Sequence, residues 1–173
     1  MPTSRGQQAL EPFDRVVEAH GPVVLRVCRA LLNPVDADDA WSETFLSALR
    51  AYPDLTPPVD ARAWLVTIAH RKAIDVIRRR SRDALPLAEV PEPAPRVDHD
   101  PPDRFGPAWD ALRDLTDRQR EVVVYHHVAG MSYREVAAVV GGTEAAARRA
   151  GADGIAALRR TLDDRDPTSG SAR

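Results

Sequence analysis

The chain has one cysteine, Cys28, one lysine, Lys72, and aromatic residues at only 5% of its 173 positions. A single thiol cannot close an intrachain disulfide or build a cysteine metal site, which suits a reducing compartment. Cys28 sits among Val23, Val24, Val27 and Leu31 at helical spacing, so it reads as a small buried residue rather than a nucleophile. No apolar run approaches a membrane span, and the start MPTSRGQQALEPF lacks the apolar segment of a signal peptide. A cytoplasmic protein with no membrane insertion is expected. Alternating strand patterns, a glycine-rich phosphate loop and a nucleophile elbow are also missing. His126 and His127 are adjacent and would point about 100° apart on a helix, unlike an i, i+4 metal pair. Asp36, Asp38 and Asp39 lack the loop and spacing of a calcium site. No catalytic group, metal or cofactor is therefore expected.

What is present is helix, and basic charge in one place. Net charge is only −2, so the chain is not a bulk polycation. Residues 71–82 nevertheless hold six basic side chains and one acid, Asp75. In ARAWLVTIAHRKAIDVIRRRSR, Leu65, Ile68, Ala69, Ala73, Val76 and Ile77 recur at three- and four-residue steps. Arg71, Arg78, Arg79 and Arg82 fall on another stripe with Lys72 beside it. Such a helix sets its back in a core and its front toward something anionic, nucleic acid being the obvious candidate. A merely solvated charged face fits the same stretch.

The rest of the chain divides around that helix. Residues 1–12 read as a disordered start and 13–82 as a first helical unit. Phe13, Val16, Val17, His20, Val23 and Val24 open its first helix, which Gly21-Pro22 should bend or split. Asn33 is placed to cap a second helix with Pro34 at its first position. That helix runs from about Val35 to Tyr52, its inner face being Ala37, Trp41, Thr44, Phe45, Ala48, Leu49 and Tyr52. Asp36, Asp38 and Asp39 crowd the first turn, where the dipole favours acids. Asp60 is positioned to cap the basic helix. Residues 83–107 carry seven of the 15 prolines and a charge of −4, the composition of a linker. A second helical unit follows at 108–162, and 163–173 is a polar tail. The expected fold is all-α: two small helical domains joined by a Pro-rich acidic linker.

In the second unit, Thr116–Gln119 and Ser132–Glu135 each have the spacing of a capping box. Gly130 stops the helix carrying Val122, Val123, Tyr125 and Val128. Gly141-Gly142 makes a tight turn, after which Thr143 caps a last helix. Short helix, glycine turn, second helix is the pattern of a helix-turn-helix. Glu144, Arg148 and Arg149 stand near the start of the last helix, where a recognition helix reads base edges. An ordinary helical hairpin would share the pattern. On the residues alone, a stand-alone helix-turn-helix regulator and a non-DNA helical adaptor both stay open.

Three stretches in order, DADDAWSETFLSALRAY, AWLVTIAHRKAIDVIRRRSR and LTDRQREVVVYHHVAGMSYREVAAVVGG, resemble a sigma factor of the sigma-70 family, of the short extracytoplasmic-function (ECF) type. The resemblance implies a transcription initiation factor that binds core RNA polymerase, recognises the −10 and −35 promoter elements and aids melting. It places Asp38, Asp39, Ser42, Glu43 and Phe45 on the helix that grips the polymerase β′ clamp, with Ser42 where glutamine is usual. It places Pro57, Arg62, Trp64, Arg71, Lys72, Arg78 and Arg79 at the −10 DNA. The loop Asp54 to Arg62 matches one that captures a flipped base. Asp75 is expected to hold Arg71 or Arg79, each one helical turn away. Ser132, Glu144, Arg148 and Arg149 are assigned to the −35 DNA.

The resemblance is weakest in the last helix, TEAAARRAGADGIAALRR. Ala150 and Asp153 replace basic residues, which lowers affinity and salt dependence. Gly151 and Gly154 are expected to weaken the helix by roughly 1 kcal/mol each relative to alanine. Weak −35 binding follows. The acidic linker is either a tether or a segment that enters the polymerase active centre. An anti-sigma protein is a further possible partner that the resemblance implies.

Overall fold

The computed structural model describes residues 10–56, 59–83 and 106–165, and all of their regular structure is helical. Three helices form a first lobe: α1 (Phe13–Leu31), α2 (Pro34–Ala51) and α3 (Ala61–Asp83). Four form a second: α4 (Gly106–Ala111), α5 (Asp117–Val123), α6 (Tyr133–Val140) and α7 (Glu144–Arg165). The stretch read as a linker lies, for residues 84–105, outside the described residues. So do 1–9, Pro57, Pro58 and 166–173.

Local chemistry sets the helix ends. The Asn33 side chain accepts from the Asp36 amide at 3.0 Å, and Pro34 opens α2. Asp60 accepts from the Ala63 amide at 3.0 Å at the start of α3. Both capping boxes form, at Thr116/Gln119 and Ser132/Glu135. Thr143 accepts from the Ala146 amide at 3.1 Å. Gly130, Gly141 and Gly142 take φ of 68°, 80° and 96°, which a side chain would resist.

The first lobe packs Val16, Val24, Cys28, Ala37, Ala40, Phe45, Ala48, Leu65 and Ala69 into one core. Burial pushes the Cys28 thiol up to about 12, so it stays protonated and inert. Thr44, fully buried, donates to the Ala40 carbonyl at 2.6 Å.

Four expectations are corrected. Gly21-Pro22 does not split α1, which is continuous. Gly21 lies 3.6 Å from the Trp41 ring, measured from where its Cβ would be, and its carbonyl accepts from the Trp41 indole at 3.0 Å. Packing against α2 holds this turn in place. Leu49 and Ile77, read as inner-face residues, are 51% and 42% exposed, while Val66 is fully buried. The inner arc of α3 is therefore rotated toward Val66, because α3 packs on both lobes. The helix carrying Tyr125 does not run straight to Gly130. Val124–Val128 widens into a π turn, with the Ala129 amide bonded to the Val124 carbonyl at 3.0 Å.

The fourth correction concerns Gly151 and Gly154, which are buried in α7. A Cβ at Gly151 would stand 3.0 Å from Tyr133 and 3.3 Å from Val122. One at Gly154 would stand 2.8 Å from Val123. The intrinsic helix cost is real, but the missing side chains let α7 lie against α5 and α6 at close range.

Candidate polymerase and nucleic-acid surfaces

α2 turns one side to solvent. Val35, Asp39, Ser42, Leu46 and Leu49 follow one another at helical spacing, and all five are exposed. Asp38 and Glu43 flank this strip and are exposed as well. Val35 is 72%, Leu46 49% and Leu49 51% exposed. Apolar side chains beside carboxylates on one helix face fit a protein contact. Ser42 and Glu43 read as outer-face residues from the sequence, but Leu49 reads as an inner-face residue until the helix is oriented, and Leu46 was missed. Phe45 departs from its assignment to this surface. It is only 7% exposed and packs on Trp41 at 4.8 Å and Phe13 at 6.4 Å between ring centroids. Four residues on from Trp41, it shares that residue's inward face, so it orients α2 rather than touching a partner.

The acidic edge of α2 meets the basic face of α3. Lys72 pairs with Glu43 at 3.3 Å, and Arg80 with Asp36 at 2.6 Å. Across α1, Arg29 pairs with Asp38 at 3.4 Å. A groove of about 430 Å³ between α2 and α3 is lined by Asp39, Ser42, Glu43, Lys72, Asp75 and Arg79, among others. The polymerase and −10 assignments thus touch at Glu43–Lys72. Arg71, Arg78, Arg79 and Arg82 are exposed, and none makes an ion pair among the described residues. Asp75 does not hold Arg71 or Arg79 as expected; it too makes no ion pair among the described residues. All three side chains are exposed, and in water such a pair gains too little to fix its geometry.

At the other end of α3, Trp64 is half-buried, 6.2 Å from Tyr52 between ring centroids. Arg62 is half-buried as well, its guanidinium 2.9 Å from where a Cβ on Gly130 would stand. Pro57, assigned to the same DNA contact, lies outside the described residues.

In the second lobe α6 and α7 form the helix-turn-helix. Arg118 of α5, which sequence reasoning missed, fixes their turn. Its guanidinium donates to the Val140 carbonyl at 2.6 Å and to the Gly141 carbonyl. These carbonyls end α6 and have no helical partner. Only the fold brings α5 to them, so no local pattern points to Arg118. Arg148 pairs with Glu144 at 2.6 Å and lies 5.0 Å over the Tyr133 ring. Tyr133 stacks on His126 at 3.9 Å. Arg149 is open to solvent, 4.0 Å from Asp153. The Ser132 hydroxyl is committed to Glu135, and these hydrogen bonds hold the Glu135 carboxyl below its usual range. Ser132 is exposed but acts first as a cap. Glu144, Arg148 and Arg149 lie together on the exposed start of α7.

Family models agree with this division: Sigma-70 region 2 matches residues 16–83, and Sigma-70, region 4 matches residues 106–158. The sigma factor CarQ of Myxococcus xanthus is 34% identical over 166 residues, covering 90% of this chain and 92% of CarQ. The ECF sigma factor SigC of Mycobacterium tuberculosis is 34% identical over 142 residues, covering 78% of this chain and 72% of SigC. The solved structure of CnrH with the cytosolic domain of CnrY superposes with a TM-score of 0.61 at 27% identity, covering 88% of each chain. Nothing in the fold favours the stand-alone regulator or the adaptor. The chain belongs to the sigma-70 family, as an extracytoplasmic-function sigma factor that directs core RNA polymerase to promoters.

Proposed function

We propose a division of labour among the surfaces. The solvent-facing strip of α2, with Asp38, Asp39, Ser42, Glu43, Leu46 and Leu49, binds the polymerase clamp. The loop Asp54 to Arg62 captures an unpaired base of the −10 element, and Arg71, Arg78 and Arg79 follow the backbone beyond it. Extruding a base costs a few kcal/mol and less once the strand is open, so the loop would hold a strand already melted. Glu144, Arg148 and Arg149 meet the −35 element. The two helical units present separate binding surfaces, the first unit ending near residue 83 and the second beginning near 106.

The observation that carries this reading is the sorting of side chains on α2 and α3. Acids and exposed leucines line one helix, arginines with no ion pair among the described residues (Arg71, Arg78, Arg79 and Arg82) line the other, and the edges join through Glu43–Lys72 at 3.3 Å. Apolar exposure suits a protein partner, and unpaired arginine suits phosphate. Weak −35 recognition fits the same face of α7, where Arg149 is shared with Asp153.

The protein works in the cytoplasm, where its polymerase is. Among the described residues no helix is long and apolar enough to cross a membrane. It carries no catalysis of its own. CnrH was solved with a protein bound, and a protein inhibitor of this chain would cover the same α2 and α3 surfaces.

Promoter-opening assays with the reconstituted holoenzyme test the assignment of α3. Replacing Arg78 and Arg79 together by alanine should lower affinity for melted promoter DNA and reduce the salt slope by about 1.4, roughly 0.7 per lost contact to a single strand. An unchanged slope would remove these arginines from the DNA surface.

A further inference from the structure

One arginine at the start of α7 is held in place before any DNA arrives. The Arg148 guanidinium lies 5.0 Å over the Tyr133 ring. Tyr133 stacks on His126, with ring centroids 3.9 Å apart and planes 21° apart. His126 is fixed in turn: its Nδ1 donates to the Met131 carbonyl at 2.7 Å, and it sits in the widened turn Val124–Val128. Toward α7 the Tyr133 ring uses the room left by Gly151, where a Cβ would stand 3.0 Å from Tyr133 Cε1 and Oη. The turn after α5, the loop before α6 and α7 itself all bear on this one ring. Arg148 also pairs with Glu144 at 2.6 Å, but the two side chains are 63% and 47% exposed, and an exposed pair holds its geometry weakly. Arg149, next along the helix, is 87% exposed and 4.0 Å from Asp153, a marginal contact.

We infer that Tyr133 is a positioning residue for −35 recognition: its ring, held by His126, fixes the Arg148 side chain in the orientation it takes on promoter DNA. This rests on the assignment of Arg148 to the −35 element. Tyr133 acts through Arg148 and needs no contact with DNA. An arginine gives up rotamer freedom when it binds, and one already ordered gives up less. A cation is attracted to the face of an aromatic ring, and the planar guanidinium stacks there as an ammonium does not. Base edges are read from a fixed direction, whereas a phosphate tolerates a roaming charge. The shelf therefore serves discrimination among bases more than bulk attraction. In this chain Ala150 and Asp153 supply no cation to the same helix, so a larger share of −35 discrimination falls on the arginine that is set in advance.

The test uses holoenzyme reconstituted from the full chain and core RNA polymerase. The probe is a duplex DNA pool randomised over both promoter elements. The readouts are the base preference at each position and the affinity for the sequence that wild type selects. Arg148→Ala should flatten the preference at the −35 bases it contacts. Tyr133→Leu should flatten the same positions and weaken affinity about two- to tenfold. Its salt slope should stay that of wild type, since no cation is lost. Tyr133→Phe keeps the ring and should match wild type. Tyr133→Leu with Arg148→Ala should bind no more weakly than Arg148→Ala alone, because the ring acts only through the arginine. A second measurement needs no variant: in the free chain, ring current from Tyr133 should shift the Arg148 side-chain protons upfield in the NMR spectrum. Unshifted protons, wild-type preference in a folded Tyr133→Leu chain, or losses that add in full in the double variant overturn the proposal while the −35 assignment of Arg148 stands. Wild-type preference in Arg148→Ala overturns that assignment, and the proposal with it.

Discussion

Gly154 of α7 and Val123 of α5 approach so closely that a methyl on the glycine would stand 2.8 Å from the valine Cγ2. The same methyl would lie 3.3 Å from Gln119 Cβ. Helix propensity alone makes Gly154→Ala stabilising by about 1 kcal/mol. The packing argues the opposite, since overfilling a tight core costs about 1–3 kcal/mol. Gly154→Ala should therefore lower stability in a urea titration by about 1–2 kcal/mol. Adding Val123→Ala should recover part of the loss, a coupling that a double-mutant cycle measures. A Gly154→Ala protein as stable as wild type would mean that α7 does not rest on α5 through this glycine.

Gly154 also shows which parts of the fold are legible in sequence. Caps are local: Asn33, Asp60, Thr116, Ser132 and Thr143 each bond an amide three residues on, so their spacing along the chain reveals them. The sorting of α3 into apolar and basic faces is local as well. What a glycine meets across an interface is not. Gly151 and Gly154 look like helix breakers until Tyr133 and Val123 are brought against them. The spacing of α2 put Phe45 on the inner face while the family resemblance put it at the clamp; its packing on Phe13 and Trp41 bears out the spacing. His70 and Tyr125, 55 residues apart, carry no mutual signal in one sequence.

Arg118 holds the helix-turn-helix turn through the carbonyls of Val140 and Gly141. Hydrogen bonds from a charged donor contribute about 1.5–3 kcal/mol. Arg118→Ala should lower stability by about that amount and weaken −35 DNA binding by the holoenzyme. Arg118→Lys should recover only part, since an ammonium lacks the fork that reaches both carbonyls. Equal stability of the alanine and lysine variants with wild type would show that the turn holds itself.

The packing of the two lobes should depend on pH through His70, whose Nδ1 lies 2.7 Å from the Tyr125 hydroxyl. Burial is the main cause that lowers the His70 pKa from 6.5, with Arg71, Arg118 and Arg78 adding to it. The neighbouring Tyr125 is pushed up by burial and by Glu121, so it remains a neutral phenol. The folded chain thus favours neutral His70 and binds fewer protons there than the unfolded chain. This contribution to stability is complete above the ordinary histidine range and is lost as pH falls through it. The thermal midpoint should decrease between about pH 7.5 and 5.5, and His70→Ala should flatten the curve. Glu121, raised by burial, has the opposite sign. A midpoint that rises on acidification would contradict the assignment to His70.

The account turns on the outward face of α2. Its most direct test is gel filtration of the full-length protein with core RNA polymerase from its source, comparing wild type with Asp39→Arg and Glu43→Arg together. Both residues are exposed, so circular dichroism should show helix content unchanged. Wild type should co-elute with core, and the double variant should elute alone. Co-elution that survives both charge reversals would place the polymerase contact elsewhere on the molecule.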